Sequence, residues 1–387
     1  MSKKLYYDDS FMKEFDGKVV SCRQGKKGWE IILDQTAFYP EGGGQPADHG
    51  VMVCGETEVN VLDVHEKNGE VVHYTDSPLE IGSEIHGTID WDRRFDFMQQ
   101  HTGEHMFSGI AHSMFGANNV GFHLSERENV VDLDVPLTKT DMNTIMDVCN
   151  EIVWKNQPVT AAWPDNLDEI EYRSKKALEG PVRILTAGEA DVCACCGTHV
   201  KFTSQAGPIL AITLQAYKGG TRIHLACGKR AVDYLRNRKD DCFEISHALS
   251  TPVEEITTAV SQRIKESDDT KFALGRAKRE LMAIHAEKAE TDGDICVMVM
   301  HGISSQELQT LALMLSKRAD TGIACCLKKG ENGKICIVSK TKDTNKLGRH
   351  ISGVLGGKGG GKPGIYQGFI EKETDENRLK ELYKSFE

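Results

Sequence analysis

The rhythm of apolar and polar positions changes several times along the 387-residue chain. Between residues 18 and 90 it is short and two-fold. The runs "KVVSC", "GWEIILDQ", "VMVCG", "EVNVLDVH", "EVVHYT" and "EIHGTIDW" are separated by Gly, Asn and charged turns. That pattern predicts short strands closing into a small barrel or sandwich. From about Asp92 to Phe115 the period becomes helical: Phe95, Met98, His101, His105 and Ile110 recur every three to five positions, and Gly116 supplies a stop. A strand ("NVVDLDVP"), a helix ("TKTDMNTIMDVCNEIVWKN") and further strands ("VRILTA", "GPILAITLQAY", "GTRIHLACG") follow. Residues 86–240 therefore read as one α+β domain.

Residues 250–290 are helix-rich. "TPVEEI" places Thr251 at the N-cap, Pro252 at the first helical position and Glu254 at the third, a capping box. Val253, Ile256, Val260 and Ile264 make one apolar stripe and Leu274, Leu281 and Ile284 another, as helix packing or an oligomer seam requires. From about Asp292 strand and helix patterns alternate, as in a compact α/β domain, which closes on the glycine-rich "GGKGGGKPG" at 356–364. A second glycine-rich stretch, "TAFYPEGGGQPADHG" at 36–50, reads as a loop whose backbone can approach a ligand closely.

Length and composition set bounds on these elements. The chain is too long for one ordinary core, and 39% hydrophobic with 27% charged residues is a soluble globular composition. The N-terminus lacks the apolar run of a signal peptide and no later segment is long enough for a membrane span, so a cytoplasmic protein with no membrane partner is expected. Twelve cysteines in such a chain read as reduced thiols with one metal site rather than as a disulfide framework.

The metal site has specific candidates. His101 and His105 are four apart on the predicted helix, so both imidazoles leave one face. In "DVCACCGTHV", residues 191–200, Cys195 and His199 form a second pair, with Cys193 and Cys196 as neighbours. Brought together, the two pairs make a tetrahedral zinc set of three imidazoles and one thiolate. The same helix reads H-x-x-E-H, the signature of inverted zinc proteases, in which Glu104 would activate water. The cysteine–histidine pair would fill that shell, and Glu104 would point about 100° away from His105, toward solvent.

Three motifs, "HTGEH", "CCGTHV" and "TAFYPEGGGQPADHG", together resemble the editing domain of alanyl-tRNA synthetase, and still more its free-standing relatives, the AlaX family. "DWDRRFDFMQQ" and "GGTRIHLACGKRA" fit the same pattern, and "SGVLGGKGGGKPG" resembles the synthetase's C-terminal domain, as in the long form of the family. The resemblance implies a zinc-dependent hydrolase that deacylates mischarged seryl- or glycyl-tRNA(Ala) and spares alanyl-tRNA(Ala). It makes His101, His105, Cys195 and His199 the ligands of one zinc ion. Thr36 matches the position associated with sensing the serine hydroxyl, Gln45 is a candidate contact to the aminoacyl end, and His123, in "VGFH", a candidate catalytic or substrate contact. Cys196 stands where the synthetases carry glycine, and competes with Cys195 as ligand.

The implied fold class is α+β. It comprises an N-terminal small β-barrel with the glycine-rich motif (1–90), a zinc-containing editing domain (91–240), a helical linker (241–291) and a C-terminal α/β domain for tRNA binding or oligomerisation (292–387). The net charge of −11 excludes bulk attraction to nucleic acid but not a local basic surface. Lys328, Lys329, Lys334, Lys340, Lys342, Lys346, Arg349, Lys358 and Lys362 face only Glu331 and Asp343 between residues 328 and 362. Lys358 and Lys362 in the glycine-rich loop offer a phosphate cradle, and Lys218, Arg222, Lys229 and Arg230 form a second basic group. A homodimer through the C-terminal half, and a non-catalytic tRNA-binding factor with structural zinc, are the remaining expectations.

Overall fold

The computed structural model describes residues 2–26, 28–174, 180–328 and 331–386. The chain divides into two compact units, Met1–Glu244 and Ile245–Glu387.

In the first unit six antiparallel strands close into a barrel in the order Glu14–Gly25, Gly28–Leu33, Glu70–Thr75, Thr57–Lys67, Gly50–Cys54, Glu84–Ile89. Alternation explains the closure: Phe15, Val19, Ile31, Leu33, Met52, Val59 and Val61 point inward and fill it. The glycine-rich motif leaves the barrel at Gln35–Thr36 and re-enters it at Gly50.

The long helix Trp91–Phe115 follows directly. Asp90 caps it by accepting the Arg93 amide, and Gly116 ends it in the left-handed conformation (φ 65°). Residues 97–111 of this helix are buried, so no single apolar stripe marks it. Met98, Met106, Phe107 and Ile110 pack with Ile145 and Ile152 of the helix Lys139–Lys155 and with Leu185 and Ile223 of the strands. Besides a parallel pair of Lys3–Lys4 with Gln35–Thr36, two sheets complete the unit among the described residues. One runs Ile209–Tyr217, Gly220–Cys227, Asn129–Leu133, Asn119–Leu124; the other runs Val159–Ala162, Ile184–Ala187, Asp191–Ala194.

The second unit holds a six-stranded sheet ordered Thr291–Asp292, Ile295–His301, Thr321–Lys328, Glu331–Ser339, Ile365–Ile370, Lys358–Gly360. Its inner strands are apolar on both faces because both are covered, while the edge strands Thr291–Asp292 and Lys358–Gly360 are polar or glycine and mostly exposed. Ile295, Ile323, Ile335 and Tyr366 meet Leu347, Ile351 and Leu379, while Cys296, Ala324 and Cys336 meet Leu308, Leu311 and Met282.

Two local expectations fail here. Thr251 does not cap the helix after it: its amide bonds to the Ser246 carbonyl and its own carbonyl accepts the Ser246 hydroxyl, which ties it to the preceding turn. A 3-10 turn, Val253–Glu255, precedes the helix Ile256–Lys288. The glycines at 356–364 are not an open loop either. Lys358–Gly360 pairs with Ile365–Ile370, and a Cβ at Gly357, Gly359 or Gly361 would come within 2.3 Å of carbonyl oxygens of Phe369, Gln367 or Ile365. The glycines are there for close backbone packing, which leaves few free amides to cradle a phosphate. Among the described residues no helix is long and apolar enough to cross a membrane.

Candidate metal centre

His101, His105, Cys195 and His199 meet in the first unit: one donor atom from each lies within 4.8 Å of the others. The helix supplies the first two from one face. The chain after the strand Asp191–Ala194 supplies the others, and Gly197 lets it lie against the helix, since a Cβ there would sit 2.3 Å from the His101 ring. Cys195 Sγ is 3.5 Å from His101 Nε2 and 3.3 Å from His199 Nε2. Cys196 is exposed and lies outside this group.

Each imidazole is held by its other nitrogen. His101 Nδ1 donates to Gln45 Oε1 at 3.0 Å, His105 Nδ1 lies 2.9 Å from Asp191 Oδ2, and His199 Nδ1 lies 3.2 Å from Thr102 Oγ1. The three Nε2 lone pairs are therefore left for one centre, the usual support of metal-binding histidines. Behind these contacts the arrangement continues. Gln45 is fixed by the Thr198 amide and hydroxyl, and Asp191 by both arms of Arg173 at 2.8 Å.

Burial opposes ionisation of the Cys195 thiol, but the three imidazoles outweigh it and hold its pKa well below the usual value. Burial also pushes His199 down to about 3, whereas at His105 the Cys195 thiolate and the hydrogen bond to Asp191 outweigh burial and raise the imidazole well above its usual value. A cation requires a thiolate and neutral imidazoles, so on binding it would take the place of the proton on His105.

The structure moves several expected residues to other tasks. Gln45 is fully buried: Oε1 accepts from His101 Nδ1 and the Thr198 amide, and Nε2 donates to the Thr198 hydroxyl, so it positions His101. His123 is exposed; its neighbour Phe122 turns the other way and stacks on His101, centroids 5.3 Å apart. Glu104 does not face solvent. It is 1% exposed and accepts from Ser108 at 2.6 Å and from Asn119, because helix positions 97–111 are enclosed on every side.

Thr36 is buried in the barrel, where its hydroxyl meets His73 Nε2 at 2.8 Å. Burial lowers the His73 pKa to about 4, and its Nδ1 lies 3.0 Å from the Ile31 carbonyl. The neutral ring thus carries its proton on Nδ1, and Thr36 donates to the bare Nε2. Its oxygen accepts the Phe38 amide at 3.1 Å, leaving one lone pair.

The basic residues divide. Arg222 is paired with both oxygens of Asp132 at 2.7 Å, Arg230 with Asp96 and Lys229 with Asp233 at 3.9 Å, so three of the four in that group have an acidic partner. Lys218, Lys358 and Lys362 are exposed. Lys329 lies outside the described residues. Sequence reasoning missed Asp191, Arg173, Thr102, Thr198 and Phe122. Only Asp191 left a signal, as a carboxylate four positions before Cys195 in a strand entering the cluster.

Family models recognise three stretches. "tRNA synthetases class II (A)" matches residues 2–93, "Threonyl and Alanyl tRNA synthetase second additional domain" residues 182–224, and "DHHA1 domain" residues 292–387. Together with the four-donor cluster they define a module of the kind found in alanine–tRNA ligases. A Halorubrum lacusprofundi alanine–tRNA ligase is 29% identical over 88% of this chain, but the chain spans only 38% of that ligase. Two shorter relatives match over nearly their whole length. The alanyl-tRNA editing protein Aarsd1 of Danio rerio is 30% identical over 96% of both chains, and AlaX-L of Pyrococcus horikoshii 26% identical over 97% of this chain and 96% of its own. The chain belongs to the alanyl-tRNA editing proteins, in the long form of the AlaX family.

Proposed function

We propose that this protein hydrolyses the ester of mischarged seryl- or glycyl-tRNA(Ala), leaves alanyl-tRNA(Ala) largely intact, and uses one zinc ion bound by His101, His105, Cys195 and His199. The observation that carries the reading is the four-donor cluster with every histidine anchored from behind. Zinc–sulfur and zinc–nitrogen bonds of ordinary length would place S and N about 3.5 Å apart in a tetrahedron. The separations of 3.3 and 3.5 Å support that fit.

A zinc ion held by His101, His105, Cys195 and His199 would supply Lewis acidity and positive charge to the site. The chain's own work is placement. Gln45 and Asp191 keep the His101 and His105 rings from turning, and Thr102 does the same for His199. An aminoacyl ester is already activated, so orientation of ester and water supplies much of the needed acceleration. Water adds to the carbonyl carbon, the bond to the ribose oxygen breaks, and that oxygen takes up a proton.

Selection against serine has a local basis in Thr36. Its remaining lone pair suits a donor hydroxyl, which serine has and glycine lacks. Thr36→Val is expected to lower kcat/KM for seryl-tRNA(Ala) roughly tenfold, the effect of one lost hydrogen bond, and to leave glycyl-tRNA(Ala) within twofold. Parallel deacylation time courses on the two substrates measure this.

The exposed Lys218, Lys358 and Lys362 are proposed to contact tRNA phosphates. Exposed Ile264, Leu274, Leu281 and Ile284 along the helix Ile256–Lys288 support a second copy of the chain as their cover.

The reading is tested by incubating the zinc-loaded protein with seryl-, glycyl- and alanyl-tRNA(Ala). Serine release no faster than in buffer would remove it, leaving a tRNA-binding factor. Glu104→Gln retains an acceptor for Ser108 and Asn119 and should deacylate at a rate within a few-fold of the parent, whereas a protease base could not be replaced.

A further inference from the structure

Arg183, 5% exposed, stands just before the strand Ile184–Ala187. Its carbonyl accepts the Cys195 amide at 3.0 Å, and its Nη1 donates to the carbonyls of Gly197 at 2.8 Å and Cys195 at 3.3 Å. Backbone and side chain of one residue thus grip both ends of the turn Cys195–Gly197. The guanidinium lies over the Tyr7 ring, 5.0 Å from its centroid, and Tyr7 in turn meets Trp163 edge to face at 5.8 Å. Among the described residues no carboxylate pairs with Arg183, and its buried Nε has no hydrogen-bond partner.

Burying a guanidinium without a carboxylate is costly, and carbonyls with a ring face offset only part of the cost. Charge does not explain the arginine, because a cation beside a cation site disfavours the ion. Its hydrogen bonds do. Gly197 has to be glycine, since a Cβ there would sit 2.3 Å from the His101 ring, and glycine is the least restrained residue in a chain. The rigidity of the turn therefore has to come from outside it. Resting on the zinc-dependent editing reading above, we infer that Arg183 is a positioning residue of the metal centre, which aims the Gly197 amide at the ligand sulfur and the Thr198 amide at the support of His101. The Gly197 amide donates to Cys195 Sγ at 3.3 Å, and it belongs to the peptide group between the two whose carbonyls Arg183 holds. The Thr198 amide shares its peptide group with the Gly197 carbonyl and donates to Gln45 Oε1 at 3.1 Å, the atom that also accepts from His101 Nδ1. One side chain thus steadies the Cys195 end of the ligand set directly and the His101 end through Gln45.

The test uses the full-length protein with Arg183→Met, Arg183→Lys and, as a control on a surface cation, Lys201→Met, whose ammonium meets Asp9 at 3.0 Å. Two quantities are read without tRNA: zinc affinity by competition with a chelator, and the energy of the thiolate-to-cobalt charge-transfer band at saturating cobalt. Arg183→Met should weaken zinc binding by about 10- to 100-fold, the range for loss of an outer support. It should also move the band to lower energy, because a sulfur relieved of its amide hydrogen bond gives up an electron more readily. At saturation the band position does not depend on affinity or fold stability, so a merely structural arginine would leave it in place. Arg183→Lys, one bond shorter, keeps a donor for one carbonyl and should weaken zinc by about 2- to 10-fold, the effect of one hydrogen bond. Lys201→Met should match the parent. The inference is overturned if Arg183→Met binds zinc as tightly as the parent, if its band stays at the parent's energy, or if Lys201→Met loses as much. Should Arg183→Met not fold, Arg183→Lys is read in the same two ways, and parent values in both overturn the inference. A parent that binds the metals but releases no serine removes the editing reading, while the two readouts still judge Arg183.

Discussion

Arg94→Met should destabilise the first unit by about 3–5 kcal/mol, the cost of leaving one partner of a buried ion pair alone. Arg94 and Asp48 are both fully buried. The guanidinium donates to both Asp48 oxygens, to the Ser10 carbonyl at 2.9 Å and to the Ala37 carbonyl at 2.6 Å. Asp48 Oδ2 in turn accepts the Tyr39 amide at 2.6 Å. One side chain from the first turns of the long helix therefore closes both ends of the glycine-rich motif onto the barrel. Methionine fills much of the volume but strands the carboxylate and two carbonyls. All four tryptophans, at 29, 91, 154 and 163, lie in the first unit, so urea unfolding followed by their fluorescence reports on it alone. Arg94→Met with Asp48→Asn should recover part of the loss, because the stranded charge is gone. A midpoint unchanged by Arg94→Met would mean that the motif is held by packing and not by this pair.

What could be read in advance follows from how local each signal is. The helix Trp91–Phe115 was legible because a stop glycine and an i, i+4 histidine pair are properties of neighbouring positions. The six barrel strands were legible from alternation, though alternation alone does not distinguish a barrel from a sandwich. The four donors were legible because each pair is close in sequence. Their anchors were not: Gln45 meets His101 across 56 positions and Asp191 meets His105 across 86, and neither spacing repeats anything local. Glu104 misled for a related reason. A helix with no solvent face gives every side chain a buried neighbour, so an angular argument about one exposed side does not apply. At 356–364 composition suggested a loop, whereas the glycines are needed because two strands and a helix crowd one another. Gly348 of the helix Thr344–Val354 shows the same pressure, since a Cβ there would be 2.2 Å from the Tyr366 ring.

Cys195→Ala should abolish stoichiometric zinc and reduce deacylation at least 100-fold, whereas Cys196→Ala should retain the metal and most of the activity. The contrast follows from position: the Cys195 sulfur is flanked by two imidazole nitrogens at 3.3 and 3.5 Å, and Cys196 lies outside the group. Asp191→Asn is the finer probe. Asparagine preserves the shape and offers one oxygen, but it removes the charge that both orients His105 and neutralises Arg173. Loss of such an outer support weakens metal binding by about 10- to 100-fold, and the same range is expected here. Competition with a chelator of known affinity measures it directly and needs no tRNA. If Asp191→Asn bound zinc as tightly as the parent, His105 would have to be held by the helix alone. If Cys196→Ala lost the metal as completely as Cys195→Ala, the thiolate would have been assigned to the wrong member of the pair. Cobalt substitution distinguishes these cases, because thiolate-to-cobalt charge transfer should disappear in Cys195→Ala and persist in Cys196→Ala.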